Sequence, residues 1–213
     1  MDGKKRHGIT VVGVGPGAPQ YVLPAALKAM QDAQVLVGGR RILADFARAD
    51  QETFPITGNI AGVIEFLRER VKTHDVTVAV SGDPGYFSLL DTLRREFSSE
   101  ILCTVPGISS LQFAFARLNL PWHEATFVSF HGREPDAQKI AFAPNKLMGM
   151  LTDGERNSRT VAECLLKFGW ADGTPFYILE RLSYADEKIT RTTLAAAAKN
   201  TPVGHCVLIV GDV

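Results

Sequence analysis

Cysteine is scarce in this chain of 213 residues: Cys103, Cys164 and Cys206 are the three present, and they lie far apart. No two have the spacing of a zinc ribbon or a redox pair, and an odd count suits a reducing compartment. Each sits in a locally apolar stretch, so each is expected to be a small core residue. Net charge is lacking too, because 23 Lys and Arg balance 23 Asp and Glu. Without an overall field the chain has no general attraction to nucleic acid or an acidic membrane surface, although a local basic pocket stays open to it. No apolar run reaches the length of a membrane span, and the first residues, Met1 to His7, are polar and lack the apolar region of a secretion signal. A cytoplasmic protein is the expectation. Internal repeats and low-complexity stretches are missing, and no triad or metal-ligating cluster stands out, so metal is not expected.

What the sequence does have is glycine placed at the ends of apolar runs. Residues 9–12 read as a parallel strand buried on both faces, and they empty into Gly13-Val14-Gly15-Pro16-Gly17. Glycine belongs where the chain needs a positive φ or where something must approach the backbone closely. In open α/β sheets, ligands sit at such carboxyl ends of strands. Gly13-x-Gly15-x-x-Ala18 also fits the dinucleotide fingerprint, which keeps a nicotinamide-dependent oxidoreductase open as an alternative, alongside a bare structural turn. Against the former, Pro16 and Pro19 interrupt the stretch, the next helical pattern begins only near Pro24, and the second strand is followed by Gly38-Gly39-Arg40-Arg41, with no acidic residue there for a ribose.

Strand-like runs recur at 35–37, 76–80 and 101–105, separated by amphipathic helical patterns. Ile60, Val63, Ile64, Leu67 and Val71 share one face, as do Tyr86, Leu89, Leu90, Leu93 and Phe97, and then Ile108, Leu111, Phe115 and Leu118. This alternation predicts a parallel sheet covered by helices. The composition shifts near Asn119-Leu120-Pro121-Trp122, which places a domain junction there and divides the chain into 1–119 and 120–213. Beyond it, 126–130, 147–151 and 206–210 read as strands, 161–168 as a helix and 194–199 as a short alanine-rich helix. The runs 175–182 and 188–192 flank Ser183-Tyr184-Ala185-Asp186 and predict an antiparallel hairpin. The fold class is therefore α/β: two α/β domains, a parallel-sheet N-terminal one and a mixed-sheet C-terminal one, with the active-site cleft expected between them.

Three strand ends carry unusual loops: Ser81-Gly82-Asp83-Pro84-Gly85-Tyr86, Pro106-Gly107-Ile108-Ser109-Ser110, and Leu151-Thr152-Asp153-Gly154. Asp83 with Pro84 has the form of a helix cap followed by a first-turn proline, and Ser109 or Ser110 can cap the next helix. The same groups can instead hold a ligand. Taken with the first glycine loop, in this order and spacing, they resemble the tetrapyrrole methylases. Leu118-Asn119-Leu120-Pro121-Trp122, Ser129-Phe130-His131-Gly132-Arg133 and Leu179-Glu180-Arg181-Leu182 are similar to the branch that methylates carbon 5 of a precorrin.

The resemblance implies a homodimeric S-adenosylmethionine-dependent carbon methyltransferase of cobalamin biosynthesis. It places Gly82, Asp83 and Tyr86 beside the methyl donor, with Ser109 and Ser110 close to it, and Met150, Leu151, Leu182 and His205 contributing from the second half. Pro16, with Gly15 and Gly17, would border the substrate trough and reach the donor. Asp83 and His131 are candidate bases. The substrate is a ring of acetate and propionate side chains, and the planar fork of arginine suits carboxylates, which nominates Arg40, Arg41, Arg133 and Arg181. Tyr86-Phe87-Ser88 departs from the family's pattern of two aromatics and a glycine. Carbon-15 methylation and decarboxylation are expected of a separate polypeptide partner. Other tetrapyrrole methylases, a diphthamide-type methylase on a protein, and a non-catalytic binding module remain as alternatives.

Overall fold

The opening apolar run becomes strand β1 (Ile9–Gly13) in the computed structural model, which describes residues 7–132 and 134–211. Contacts divide the chain into two units, 1–109 and 110–213, so the break falls earlier than the composition shift and assigns helix 110–118 to the second unit.

In the first unit β1 lies at the inside of a five-stranded sheet with β2 (Val35–Gly38), β3 (Glu52–Pro55), β4 (Val76–Val80) and β5 (Leu102–Val105), in the order β3-β2-β4-β1-β5. Every pairing is parallel, with Gly13 opposite Val80, Val12 opposite Val105 and Gly38 opposite Ala79. All five strands thus end on one edge. The order also separates this sheet from a nicotinamide-binding one, in which the first strand neighbours the second. After β1 the chain makes a short 3-10 turn, Pro19–Tyr21, before α1 (Pro24–Asp32), so no helix opens on the glycines.

Both faces of the sheet are covered, as the unbroken apolar runs require. Val11, Val37, Val78 and Val80 pack against Val63, Ile64 and Leu67 of α3 (Ile60–Arg70) and Leu93 of α4 (Leu90–Glu96). Val12, Leu36 and Ala79 face Ala26 and Met30 of α1 and Ile42 of α2 (Arg40–Phe46) on the other side. The face predicted for 60–71 is the one buried. That predicted from Tyr86 holds only from Leu90 onward, because Phe87 takes a left-handed φ of 49° and the turn after Pro84 delays the helix. Asp83 is accordingly not a helix cap. Two elements escaped sequence reading. β3 is an exposed edge strand with no apolar run, brought into place by buried Gln51, whose side-chain amide donates to the Met30 and Ala33 carbonyls at 2.7 Å each. α2 is a short helix whose single buried residue, Ile42, offers no periodicity. The cysteine expectation needs correction as well: Cys206 is buried and Cys164 half-buried, but Cys103 is exposed, because β5 is the opposite edge strand.

The second unit is a mixed sheet, β6 (Thr126–Ser129), β7 (Met148–Leu151), β10 (Val207–Val210), β8 (Pro175–Glu180) and β9 (Lys188–Thr193), in that spatial order. β6 and β7 run parallel; the remaining pairings are antiparallel, and β8–β9 is the predicted hairpin. α5 (Ser110–Leu118) packs on one face so tightly that a Cβ on Gly149 would lie 2.7 Å from Leu111. The other face carries Met148, Met150, Phe176 and Leu208 against Val161 and Leu165 of α7 (Ser158–Lys167) and Leu194 of α8 (Leu194–Ala197). A small helix, α6 (Ala137–Ile140), lies beside β6, and the indole of Trp170 donates to the Ile140 carbonyl at 2.7 Å. No helix among the described residues is long and apolar enough to cross a membrane.

Candidate functional site

On the carboxyl edge of the first sheet, three glycines from three strand ends meet. A Cβ on Gly107 would stand 2.2 Å from the Gly82 carbonyl oxygen and 2.8 Å from Gly13; one on Gly13 would stand 2.4 Å from that oxygen. Only hydrogen fits at either place. Gly15 and Gly82 pair through both backbone groups, Gly82 N–H donating at 2.8 Å and Gly15 N–H at 3.3 Å, with φ of 76° and 69°. The left-handed backbone of both residues suits glycine and strains a side chain. Asp83 then ties the loops together. Its Oδ1 accepts the Gly85 N–H at 2.8 Å and its Oδ2 the Gly107 N–H at 3.0 Å. These bonds fix the three loops to one another, and the glycines keep side chains out of the place where they meet.

Around this centre, Pro16 is half-buried and Gly17 buried with φ 154°. Tyr86 stacks edge-on against Phe87 at 4.7 Å, and burial pushes its phenol upward from the ordinary value. Ser109 is buried and closes the first unit. Arg40 and Arg41, both exposed, open α2 directly after β2 and so stand on the same edge of the sheet.

The second unit gathers its own loops at one edge. The ends of β6, β7 and β8 and the start of β10 coincide there, since Leu151 and Leu179 both pair with Val207 and Ser129 pairs with Leu151. Thr152 and Asp153 organise this edge. The Thr152 hydroxyl donates to the Cys206 carbonyl at 2.7 Å and accepts the Cys206 N–H at 2.9 Å. Burial pushes the Cys206 thiol up to about 11. The Thr152 carbonyl lies 3.2 Å from His131 Nδ1. A carbonyl only accepts, so Nδ1 is the donor in this contact, and in the neutral ring that tautomer leaves the lone pair on Nε2. Asp153 accepts the backbone N–H of Gly132 at 2.8 Å, Glu155 at 2.9 Å and Arg156 at 2.7 Å, and its carbonyl accepts His205 N–H at 3.2 Å.

The Gly132 and Arg156 amides, with that of Glu155, hold the Asp153 carboxyl down to about 2, below the ordinary value near 3.8. Its stabilising contribution is therefore complete above the unfolded value and lost as pH falls from about 4 towards 2. Asp153→Asn should lower the melting temperature at neutral pH, with the gap to the parent closing across that acid window. Parallel melting curves for the two proteins that do not converge would refute this.

Where sequence comparison is concerned, residues 8–198 match the family model described as Tetrapyrrole (Corrin/Porphyrin) Methylases. The chain belongs to the tetrapyrrole methylases. A cobalt-precorrin-7 C(5)-methyltransferase of Salmonella typhimurium is 30% identical over 202 residues, covering 94% of this chain and 98% of that one. A probable cobalt-precorrin-7 C(5)-methyltransferase of Methanocaldococcus jannaschii is 29% identical over 199 residues, with 89% and 91% covered. In fold, the crystal structure of the methyltransferase CobJ superposes with a TM-score of 0.80 at 21% identity, covering 97% of this chain and 94% of that one.

Within this methylase the predicted residues divide by unit. Gly15, Pro16, Gly17, Gly82, Asp83, Tyr86, Arg40 and Arg41 share the carboxyl edge of the first sheet, with Ser109 at the end of that unit. Ser110 begins α5. His131, Leu151, Leu182, Arg181 and His205 share the loop edge of the second sheet, His131 and His205 exposed and Leu182 buried. His205 takes a left-handed φ of 50°. Met150 is fully enclosed in its own unit's core, so its backbone is what it can present at that edge. Arg181 pairs with Asp186 at 2.5 Å and lies over the Tyr184 ring at 4.8 Å. Arg133 lies outside the described residues. Sequence reading passed over the packing role of Gly13 and Gly107 and the bracing by Thr152 and Asp153. The Asp153-Gly154 pair after a strand was the available signal, since such a pair marks a turn built around the Asp side chain. Among the described residues no cluster of His, Cys, Asp and Glu can hold a metal ion.

Proposed function

We propose that this tetrapyrrole methylase transfers a methyl group from S-adenosylmethionine to carbon 5 of a cobalt-precorrin in cobalamin biosynthesis. The observation that carries the reading is similarity along nearly the whole chain to the Salmonella typhimurium and Methanocaldococcus jannaschii proteins, whose names both specify that carbon and substrate. The glycine-lined edge supports it: Gly13, Gly82 and Gly107 pack main chain against main chain, which keeps side chains away from the strand ends at the sheet edge where ligands of open α/β sheets sit.

S-adenosylmethionine, when bound, supplies an electrophilic methyl group on a sulfonium. The substrate's enamine-like meso carbon is already nucleophilic, so the residues need align it and exclude water rather than activate it. Orientation of this kind is worth roughly 7–11 kcal/mol in favourable cases. Gly82, Tyr86, Ser109, Ser110, Pro16 and the backbone at Met150 and Leu151, with Leu182 and His205, are the proposed donor contacts. Asp83 acts as the brace of the loops, because both its oxygens are engaged by Gly85 and Gly107. His131, with an available Nε2, is the proposed acceptor of the proton lost from the methylated carbon. Arg40 and Arg41, with Gly15 and Gly17 bordering the trough, are the proposed partners of the substrate's carboxylates; Arg181 serves there only by releasing Asp186. A homodimer working beside a separate carbon-15 methylating decarboxylase completes the proposal.

Calorimetric titration should give saturable binding of S-adenosylhomocysteine and none of NADH or NADPH. A methyl-labelled donor should then label cobalt-precorrin-7 in a single turnover, and changing Arg40 and Arg41 together to Ala should raise KM without altering donor affinity. Binding of NADH in place of S-adenosylhomocysteine would overturn the assignment.

A further inference from the structure

The second unit contains a cavity of about 330 Å³ that none of the residues assigned above occupies. Phe130, Ile140, Val161 and Phe168 give it apolar walls; Arg156 and Glu134 are its charged groups, and Cys164 also lines it. Two of its lining residues adjoin the loop edge of the sheet: Phe130 immediately precedes His131, and the Arg156 backbone N–H donates to Asp153. The Arg156 side chain is about two-thirds buried and reaches Asp153 through one nitrogen at 3.4 Å. Asp153 is meanwhile held by three backbone N–H groups, so its orientation does not depend on that long contact. A guanidinium keeps five donors, and most of the fork remains for a ligand.

We infer that this cavity is a substrate subsite, taking one carboxylate-bearing corner of the tetrapyrrole with the carboxylate on Arg156. The inference rests on the function proposed above and adds a residue and a location to it. The volume lies at the lower end of small-molecule pockets, which fits a single pyrrole with its acid side chains and not a whole macrocycle. Apolar walls favour burial of ring carbons, while a forked cation inside favours a carboxylate over any neutral polar group. Glu134 sets direction. Its negative charge disfavours a carboxylate beside it, which leaves Arg156 as the charged group of the lining that attracts one.

The two charges give opposite signs in kinetics. Arg156→Ala should raise KM for cobalt-precorrin-7 about tenfold or more, with kcat and the S-adenosylhomocysteine Kd unchanged. Arg156→Lys should recover part of that loss, since it restores charge without the fork. Glu134→Gln should lower KM. Independently, in a Cys103→Ser background, saturating cobalt-precorrin-7 should slow alkylation of Cys164 by N-ethylmaleimide. The ligand-free alkylation rate reports whether each variant is folded; if Arg156→Ala changes it, Arg156→Lys carries the test. A parent enzyme that binds S-adenosylhomocysteine and turns over, yet leaves Cys164 equally reactive with substrate bound, overturns the subsite alone. An unchanged KM in folded Arg156 variants does the same. Failure of donor binding and turnover in the parent removes the proposed function and the subsite with it.

Discussion

Gly107→Ala is expected to abolish binding of S-adenosylhomocysteine and to cost the protein more than about 3 kcal/mol, since even ordinary overpacking of a core costs 1–3. The added carbon would lie 2.2 Å from the Gly82 carbonyl oxygen and 2.8 Å from the Gly13 backbone. All the atoms in the way are main chain, so no rotamer change can make room. Either β5 must pull away from β1, breaking a register that runs from Ile9–Leu102 to Val12–Val105, or the loop after β5 must lift off. The first outcome is a stability loss, the second a loss of the proposed donor site, and both follow from one methyl group. For a chain of this size 1 kcal/mol corresponds to roughly 2–4 °C, so the melting temperature should fall by about 6 °C or more. Gly173→Ala is the control: nothing lies within 4 Å of its Cβ position, and its effect should stay within about 0.5 kcal/mol. If Gly107→Ala melts and binds like the Gly173 variant, the close approach of these strand ends is wrong.

The second large effect is expected at Asp83. Asparagine has the same shape but replaces one carboxylate oxygen by an NH2 group, which must then face the N–H of Gly85 or of Gly107. One charge-assisted bond is lost and two donors oppose each other. Hydrogen bonds to charged groups contribute about 1.5–3 kcal/mol, which corresponds to a tenfold to hundredfold weakening if the cost falls on the proposed donor site. The S-adenosylhomocysteine Kd of Asp83→Asn should rise by that factor in calorimetry. Asp83→Ala should be worse, because both amides lose their partner. A base would behave differently: removing it would collapse kcat and leave donor affinity as it was. That result would return Asp83 to the chemistry and take the brace away.

The brace also marks the limit of sequence reading at this site. Asp83 followed by Pro84 has the pattern of a helix start, and local chemistry favours that reading. Its actual second partner, Gly107, lies 24 residues away, and they meet because β4 and β5 flank β1 in register. The same gap explains Thr152 and Cys206, which bond across 54 residues through the pairing of β7 with β10. Arg156 carries no signal at all in the sequence, since a solvated arginine after a turn and one facing a cavity look alike in it.

Burial pattern is a local property, and the amino-acid sequence alone determined what depends on it. The apolar runs of β1, β2 and β4, the face of α3, the hairpin β8–β9 and the glycine loops at strand ends all follow from residue type and spacing. Strand order is a global property. Only the tertiary structure placed β1 between β4 and β5, exposed Cys103 on an edge, recruited β3 through Gln51 and drew three glycines together. Each of these depends on which backbones become neighbours after the chain closes on itself, and that free energy is shared among contacts too distant in sequence to leave a pattern in any one segment.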